Sequence, residues 1–438
     1  MILMSYKRQL GIIIIFMISG IYTLIMNADT WSGQLKVNGV SLSIVFNLNE
    51  DNPTMDSPDQ GVKGIPIKLE NADDGKVIIN IPSVGATYEG FKVSDQIIGT
   101  FTQHGAILPL VLRQGENKLN RPQTPTPPYP YAEEEVSFKN GEAVLKGTLT
   151  LPAGYDKETP VLLMVTGSGL QNRDEEIFEH RPFAVIADAF ARSGIATLRY
   201  DDRGIGESTG DVVNCTTEDF KNDALSGINF LRERFNRVGI IGHSEGGTIA
   251  LMLAAEQQPD FIISLAGMTV SGSETLVWQN RKVLTEAGYP EETVEVYCNL
   301  LADAFENKMN GTIPPTTNGL SLPEPLKQNY QAVLSQLQLP YLSYFISLDA
   351  RQFLDKIYCP VLALNGKNDT QVYFEDNLEA LRSGLPDNDK NMIKAEESLN
   401  HLFQHSSSGL PSKYKEIEET FAPEVIETMI KWVKCLYP

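Results

Sequence analysis

The sequence predicts an α/β chain: a doubly wound, mostly parallel sheet carrying a helical cap insertion, preceded by a small all-β domain. Three observations carry this. From Val161 onward, short continuous apolar runs alternate with helical stretches, the pattern of buried parallel strands and crossover helices. Between Gly267 and Pro360 that rhythm stops. Only amphipathic helical segments such as Glu291 to Glu306 and Leu326 to Leu337 remain there, which points to an inserted cap over about 268–357 rather than a structureless loop. Before residue 113 the chain instead alternates β-branched runs with turn residues.

Taken in order, Lys7 and Arg8 precede an uncharged run from Gln9 to Ala28 that includes Ile12 to Met17. A basic start before an apolar block reads as a signal peptide or N-terminal anchor over 1–30, hence an exported protein, periplasmic or extracellular. No clean A-x-A site precedes Trp31, so membrane anchoring through an uncleaved segment stays open. Runs such as Leu42 to Phe46, Lys76 to Ile81 and Gln96 to Phe101 then build a small β domain over 31–112, a sandwich or barrel. A linker over 113–132 contains the Pro-rich stretch Arg121 to Pro130, semi-rigid and extended. The larger α/β domain spans 133–438. It opens with a hairpin at Asn140-Gly141 and continues through strands at 161–165, 195–198, 238–241, 261–265 and 361–364, with a last one at 391–393.

Composition bounds the function. At 438 residues the chain fits two or three domains. A net charge of −20 argues against nucleic acid as a partner, because phosphate binding needs clustered Lys and Arg. Cys215, Cys298, Cys359 and Cys435 lie far apart with no C-x-x-C spacing, so neither a metal site nor a disulfide framework is expected. No lipobox cysteine is present, and the oligomeric state, a homo-oligomer included, stays open.

The most informative stretch is Val238 to Gly247, an apolar strand entering Gly242-His243-Ser244-Glu245-Gly246 and then a helix of small residues. A serine on a tight strand-to-helix turn projects its hydroxyl above the sheet, and the helix N-terminus behind it favours developing negative charge. Together with the ordered elements around it, this block resembles the α/β-hydrolase fold from about Glu133 to Tyr437. The branch it is similar to is that of secreted bacterial serine esterases related to acylaminoacyl and dipeptidyl peptidases, some with a β-rich N-terminal module. Asp56 to Gln60 and Gly99 to Gln103 resemble that module.

The resemblance implies Ser244 as nucleophile. The family order of Ser, acid, His leaves His401 or His405 as base, and His401 directly follows the last strand. Asp369, spaced after Gly366 beyond the penultimate strand, is the implied acid, with Glu375 and Asp376 behind it. The oxyanion hole is expected from the backbone N–H groups of Glu245 and of Ser168, in the loop Thr166 to Leu170. That loop begins with Thr166 where the family usually has His. Arg173 and Asp174 are expected to brace it as an ion pair, and Arg203, in the scaffolding loop Asp201 to Ser208, to pair with a carboxylate. Trp278, Tyr341, Tyr344 and Phe345 are candidate pocket lining.

The expected activity is hydrolysis of a small-molecule carboxylic ester, without metal or organic cofactor. The alternatives are a peptidase of the same fold, or a non-catalytic binding protein that retains the scaffold.

Overall fold

A computed structural model describes residues 30–437 apart from 38–39, 49–51, 59–61, 72–74, 104 and 116–118. The signal-like segment Gln9 to Ala28, together with Asp59, Gln60 and His104, lies outside the described residues. The chain divides into two compact units, meeting between Asn120 and Arg121.

The first unit is one antiparallel sheet of nine strands: β1 (Thr30–Val37), β2 (Val40–Asn47), β3 (Thr54–Ser57), β4 (Val62–Pro66), β5 (Lys68–Asn71), β6 (Lys76–Ile81), β7 (Ala86–Val93), β8 (Gln96–Gln103) and β9 (Ala106–Gln114). Their order is β4-β3-β2-β1-β9-β8-β7-β6-β5. The two edge strands are consecutive in sequence with only Ile67 between them, so the sheet curls until its edges meet around one core. Alternate residues fill that core: Leu42, Ile44 and Phe46 from β2, Ile79 and Ile81 from β6, Leu110 and Leu112 from β9. The Tyr88 hydroxyl crosses this interior within 3.0 Å of the Ile97 carbonyl and 3.2 Å of that of Leu110.

The second unit carries an eight-stranded sheet of β10 (Ala132–Asn140), β11 (Ala143–Leu151), β12 (Val161–Val165), β13 (Ala196–Tyr200), β14 (Val238–His243), β15 (Phe261–Leu265), β16 (Val361–Gly366) and β17 (Met392–Glu396). The order is β10-β11-β13-β12-β14-β15-β16-β17. The first two strands are antiparallel and the pairs from β13 onward are parallel. This is the expected doubly wound sheet.

Successive strand residues face opposite sides, so both faces bury apolar surface. Leu163, Ile240, Ile262 and Ala363 meet α2 (Thr217–Arg232), α3 (Glu245–Ala255) and α8 (Phe374–Gly384). Leu162, Met164, Ile241 and Ile263 meet α1 (Pro182–Arg192) and α9 (Pro423–Leu436) on the other side. Pro at the first position of α1 and α9 suits a turn whose N–H needs no partner.

Between β15 and β16 lie four cap helices: α4 (Gly272–Glu286), α5 (Glu291–Met309), α6 (Glu324–Gln336) and α7 (Pro340–Phe345). A capping box starts α4: Ser271 Oγ accepts from Glu274 N–H, and the Glu274 carboxylate accepts from Ser271 N–H at 3.0 Å. The cap has a core of its own, built on Tyr297, Leu301, Phe305, Tyr330 and Leu337. The Pro-rich stretch packs onto the α/β unit rather than standing clear of it. Arg121 donates to the carbonyls of Phe178, Lys415 and Ile417, and Gln123 bridges Thr420 and Phe421. All four cysteines are free thiols.

Candidate active site

The fully buried strand β14 ends at His243 and α3 begins at Glu245, leaving Ser244 alone on the turn at φ 53° and ψ −119°. A non-glycine residue held there stores about 1–3 kcal/mol of strain, which persists only where the surroundings over-determine it. They do so through backbone contact. A Cβ at Gly242 would lie 2.0 Å from the Gly246 carbonyl oxygen, and one at Gly246 would lie 2.1 Å from that of Val165. Both glycines of the motif are therefore required by close approach.

Asp369 stands on the turn after β16. Its Oδ1 accepts from the backbone N–H groups of Gln371 (2.7 Å) and Val372 (2.9 Å), and its Oδ2 lies 2.7 Å from His401 Nδ1. Both side chains are buried. The loop after β17 that carries His401 is held by Asn400, whose Oδ1 accepts from Leu402 and Gln404 N–H. It presses on Gly366, where a Cβ would lie 2.2 Å from the Leu399 carbonyl oxygen. Asp369 and His401 are thus in direct contact, with the carboxylate directing the imidazole's other nitrogen outward. Ser244 is partly exposed, and no hydrogen bond joins its hydroxyl to His401 in this structure.

The loop after β12 runs beside the elbow: a Cβ at Gly167 would lie 3.1 Å from Ser244 Cβ. Among the described residues, the backbone N–H groups of Ser168 and Glu245 donate to no protein acceptor, which leaves two donors next to the serine. Thr166 has a defined task where the family usually has His. Its hydroxyl lies 3.0 Å from both oxygens of buried Asp202, which also accepts from Gln171 N–H at 2.8 Å. Burial drives the Asp202 carboxyl well above the usual carboxylate range, against the pull of those donors.

Arg173 and Asp174 do not pair with each other. Arg173 reaches Asp201 (2.7 Å) and Glu135 (2.6 Å), while Asp174 is shared by Arg181 and Arg199. The two are the central residues of a turn closed by the Glu175 N–H on the Asn172 carbonyl at 2.9 Å, and each finds its partners on other segments. Arg203 does pair with a carboxylate: its Nε and Nη2 donate to Asp223 at 2.7 and 2.8 Å.

The remaining candidates fall elsewhere. His405 is exposed and bound to Glu419 and Glu424. Glu375 and Asp376 open α8, where Glu375 accepts from the Tyr373 hydroxyl. His180 is buried against Thr420 and the Tyr414 carbonyl, and burial pushes its pKa down to about 4.

In the cap, Phe345 is buried in the cap's own core. Tyr344 donates to Glu218 at 3.1 Å, and Tyr341 donates to the buried carboxyl of Glu245. Burial raises the Glu245 pKa, opposed by the hydroxyls of Tyr341, Thr217 and Ser168. Trp278 stacks on Tyr373 with ring centres 5.1 Å apart, on the wall of a 370 Å³ cleft between α4 and α8. None of Ser244, Asp369 and His401 lines that cleft. Among the described residues no group of three or more His, Cys, Asp or Glu is arranged to hold a metal ion.

Two residues escaped the sequence reading: His243 and Glu175, buried side by side behind the elbow. Their only sequence signals are a histidine abutting the nucleophile and an acid ending Arg173-Asp174-Glu175.

Residues 140–399 match the profile of the family described as X-Pro dipeptidyl-peptidase (S15 family). Esterase EstD of Thermotoga maritima is 24% identical over 341 residues, 76% of either chain. The mitochondrial palmitoyl-protein thioesterase ABHD10 of Mus musculus is 28% identical over 200 residues, covering 45% of this chain and 56% of its own. Among solved structures, the Pyrococcus furiosus esterase PF2001 superposes with a TM-score of 0.45 at 14% identity, over 73% of this chain and 99% of that one.

Proposed function

This chain belongs to the X-Pro dipeptidyl-peptidase (S15) family and is a serine hydrolase of the α/β fold, and from that premise we propose that it is a carboxylic-ester hydrolase working through Ser244, His401 and Asp369. The observation that carries the reading is the 2.7 Å contact between His401 Nδ1 and Asp369 Oδ2, buried beside a serine on a strained elbow. The likeness to a protein named an esterase over three quarters of both chains supports an ester over an amide.

In this mechanism the Ser244 oxygen attacks the ester carbonyl while His401 Nε2 takes its proton. Asp369 holds the imidazole in the needed tautomer and stabilises the cation that forms. The N–H groups of Ser168 and Glu245 receive the oxyanion. His401 then returns the proton to the departing alcohol, leaving an acyl-serine. Water, deprotonated by the same imidazole, releases the acid and restores the serine.

A peptidase reading rests on the family description itself. Hydrolysis of p-nitrophenyl esters of increasing chain length, run beside X-Pro dipeptidyl anilides and with fluorophosphonate labelling, decides between them. We expect ester turnover to exceed anilide turnover and Ser244→Ala to abolish both turnover and labelling. Faster anilide cleavage reverses the substrate class, and labelling that survives Ser244→Ala removes the nucleophile. Export rests on the segment from Lys7 to Ala28, and cell fractionation with N-terminal sequencing of the mature protein tests it.

A further inference from the structure

Among the buried titratable groups that the mechanism above leaves unused are Glu175 and His243. Glu175 sits on the oxyanion loop at φ 54°, a left-handed conformation that its surroundings must enforce. Its Oε1 accepts from Gly167 N–H at 2.8 Å and lies 2.8 Å from His243 Nδ1. On the far side of the same ring, His243 Nε2 lies 2.8 Å from the backbone carbonyl oxygen of His401.

A carbonyl can only accept, so His243 Nε2 carries a hydrogen. Nδ1 faces a carboxyl oxygen, so a second proton occupies that contact. An imidazolium facing a carboxylate satisfies every atom involved and leaves the buried pair neutral overall. Burial disfavours a charged His243, but the charge and hydrogen bond of Glu175 outweigh it, and the histidine pKa is raised. The charged or titratable groups that face this ring are Glu175 from the oxyanion loop, His401 from the base loop and Asp369 from the acid turn. The rings of His243 and His401 are 4.6 Å apart.

We propose that Glu175 and His243 are positioning residues, an ion pair that ties the oxyanion loop at Gly167 to the base loop at the His401 carbonyl and so sets both in register with Ser244. Asp369 fixes the His401 ring, and the Glu175–His243 pair fixes the backbone that carries it. The proposal rests on the reading of His401 as base and of the loop at 166–170 as the oxyanion loop.

Glu175→Gln and His243→Gln keep approximate size and remove the shared charge. The readout is ester kcat per site titrated with a fluorophosphonate, because an active-fraction count cancels losses from unfolding. Each variant is expected to lose about 10-fold to 100-fold in kcat per titrated site, the scale of a small misplacement of reacting groups. KM should stay within about two-fold, and the double variant should lose little more than either single one. Unchanged kcat per titrated site, or losses that multiply, overturn the proposal.

Two further readouts do not depend on those variants folding. Glu175→Asp keeps the charge but withdraws it, and should lose kcat by an intermediate factor; wild-type kcat there counts against the pair. Histidine ¹⁵N NMR of the wild-type protein at about pH 8, above the ordinary histidine pKa of about 6.5, should show a ring protonated at both nitrogens. Its absence overturns the ion pair. Wild-type behaviour in these variants beside an inactive Ser244→Ala sinks this proposal alone. Labelling that survives Ser244→Ala sinks the functional reading first.

Discussion

The floor of the site and the cap sequence above it are held by different physics. In the floor, buried carboxylates each gather two or more donors: Asp369 from its own turn and His401, Asp202 from Thr166 and Gln171, Glu175 from Gly167 and His243. The cap is built round an apolar core that Val372 of the turn after β16 joins, and its polar contacts with the elements beneath include Tyr341 on Glu245, Tyr344 on Glu218 and Gln279 on the Gln371 carbonyl. Buried charge networks tolerate few arrangements, since removing one partner leaves the other uncompensated. Apolar cores accept many sequences of similar volume. Under the proposed function, that difference leaves the reaction chemistry to the floor and the choice of ester to the cap.

That contrast can be broken at three places. The largest effect is expected at Asp369→Asn, which keeps the shape but favours the wrong tautomer of His401. The loss in kcat should be about 10⁴-fold, measured on p-nitrophenyl acetate with the melting temperature followed in parallel. A loss no larger than that of a cap variant would erase the distinction.

Next is Thr166→Val, which removes one donor from buried Asp202 while Gln171 N–H remains. It should lower unfolding stability by about 1–3 kcal/mol, read from urea denaturation. A neutral result would show that the Thr166 hydroxyl does not brace the oxyanion loop.

The smallest change is expected at Tyr341→Phe. Loss of one hydrogen bond worth about 0.5–1.5 kcal/mol net should raise KM by about 2-fold to 10-fold with kcat nearly unchanged. A dependence on acyl chain length would sharpen the assignment of the cap to selectivity. A collapse of kcat instead would place Tyr341 with the floor.

Much of the fold was legible in sequence because its signals are local. Short apolar runs of four or five residues announced β12, β14 and β15, each fully buried. The missing rhythm after Gly267 announced α4 to α7. Asp369 and His401 stood where chain order after β16 and β17 required, since a parallel sheet brings the ends of its strands to one edge. The Arg173–Asp174 pairing failed because adjacency in sequence says nothing about which way two loop side chains face.

By itself, then, the sequence determined the parallel sheet, the elbow at Ser244 and the places of Asp369 and His401 after it, all carried by periodicity and chain order. Only the tertiary structure decided what surrounds them. Thr166 meets Asp202 across 36 residues, His243 meets Glu175 across 68, and the carbonyl of His401 comes back to His243 across 158. No local pattern encodes such partners. They arise because a buried charge must find its counterpart wherever the fold brings one within hydrogen-bonding reach.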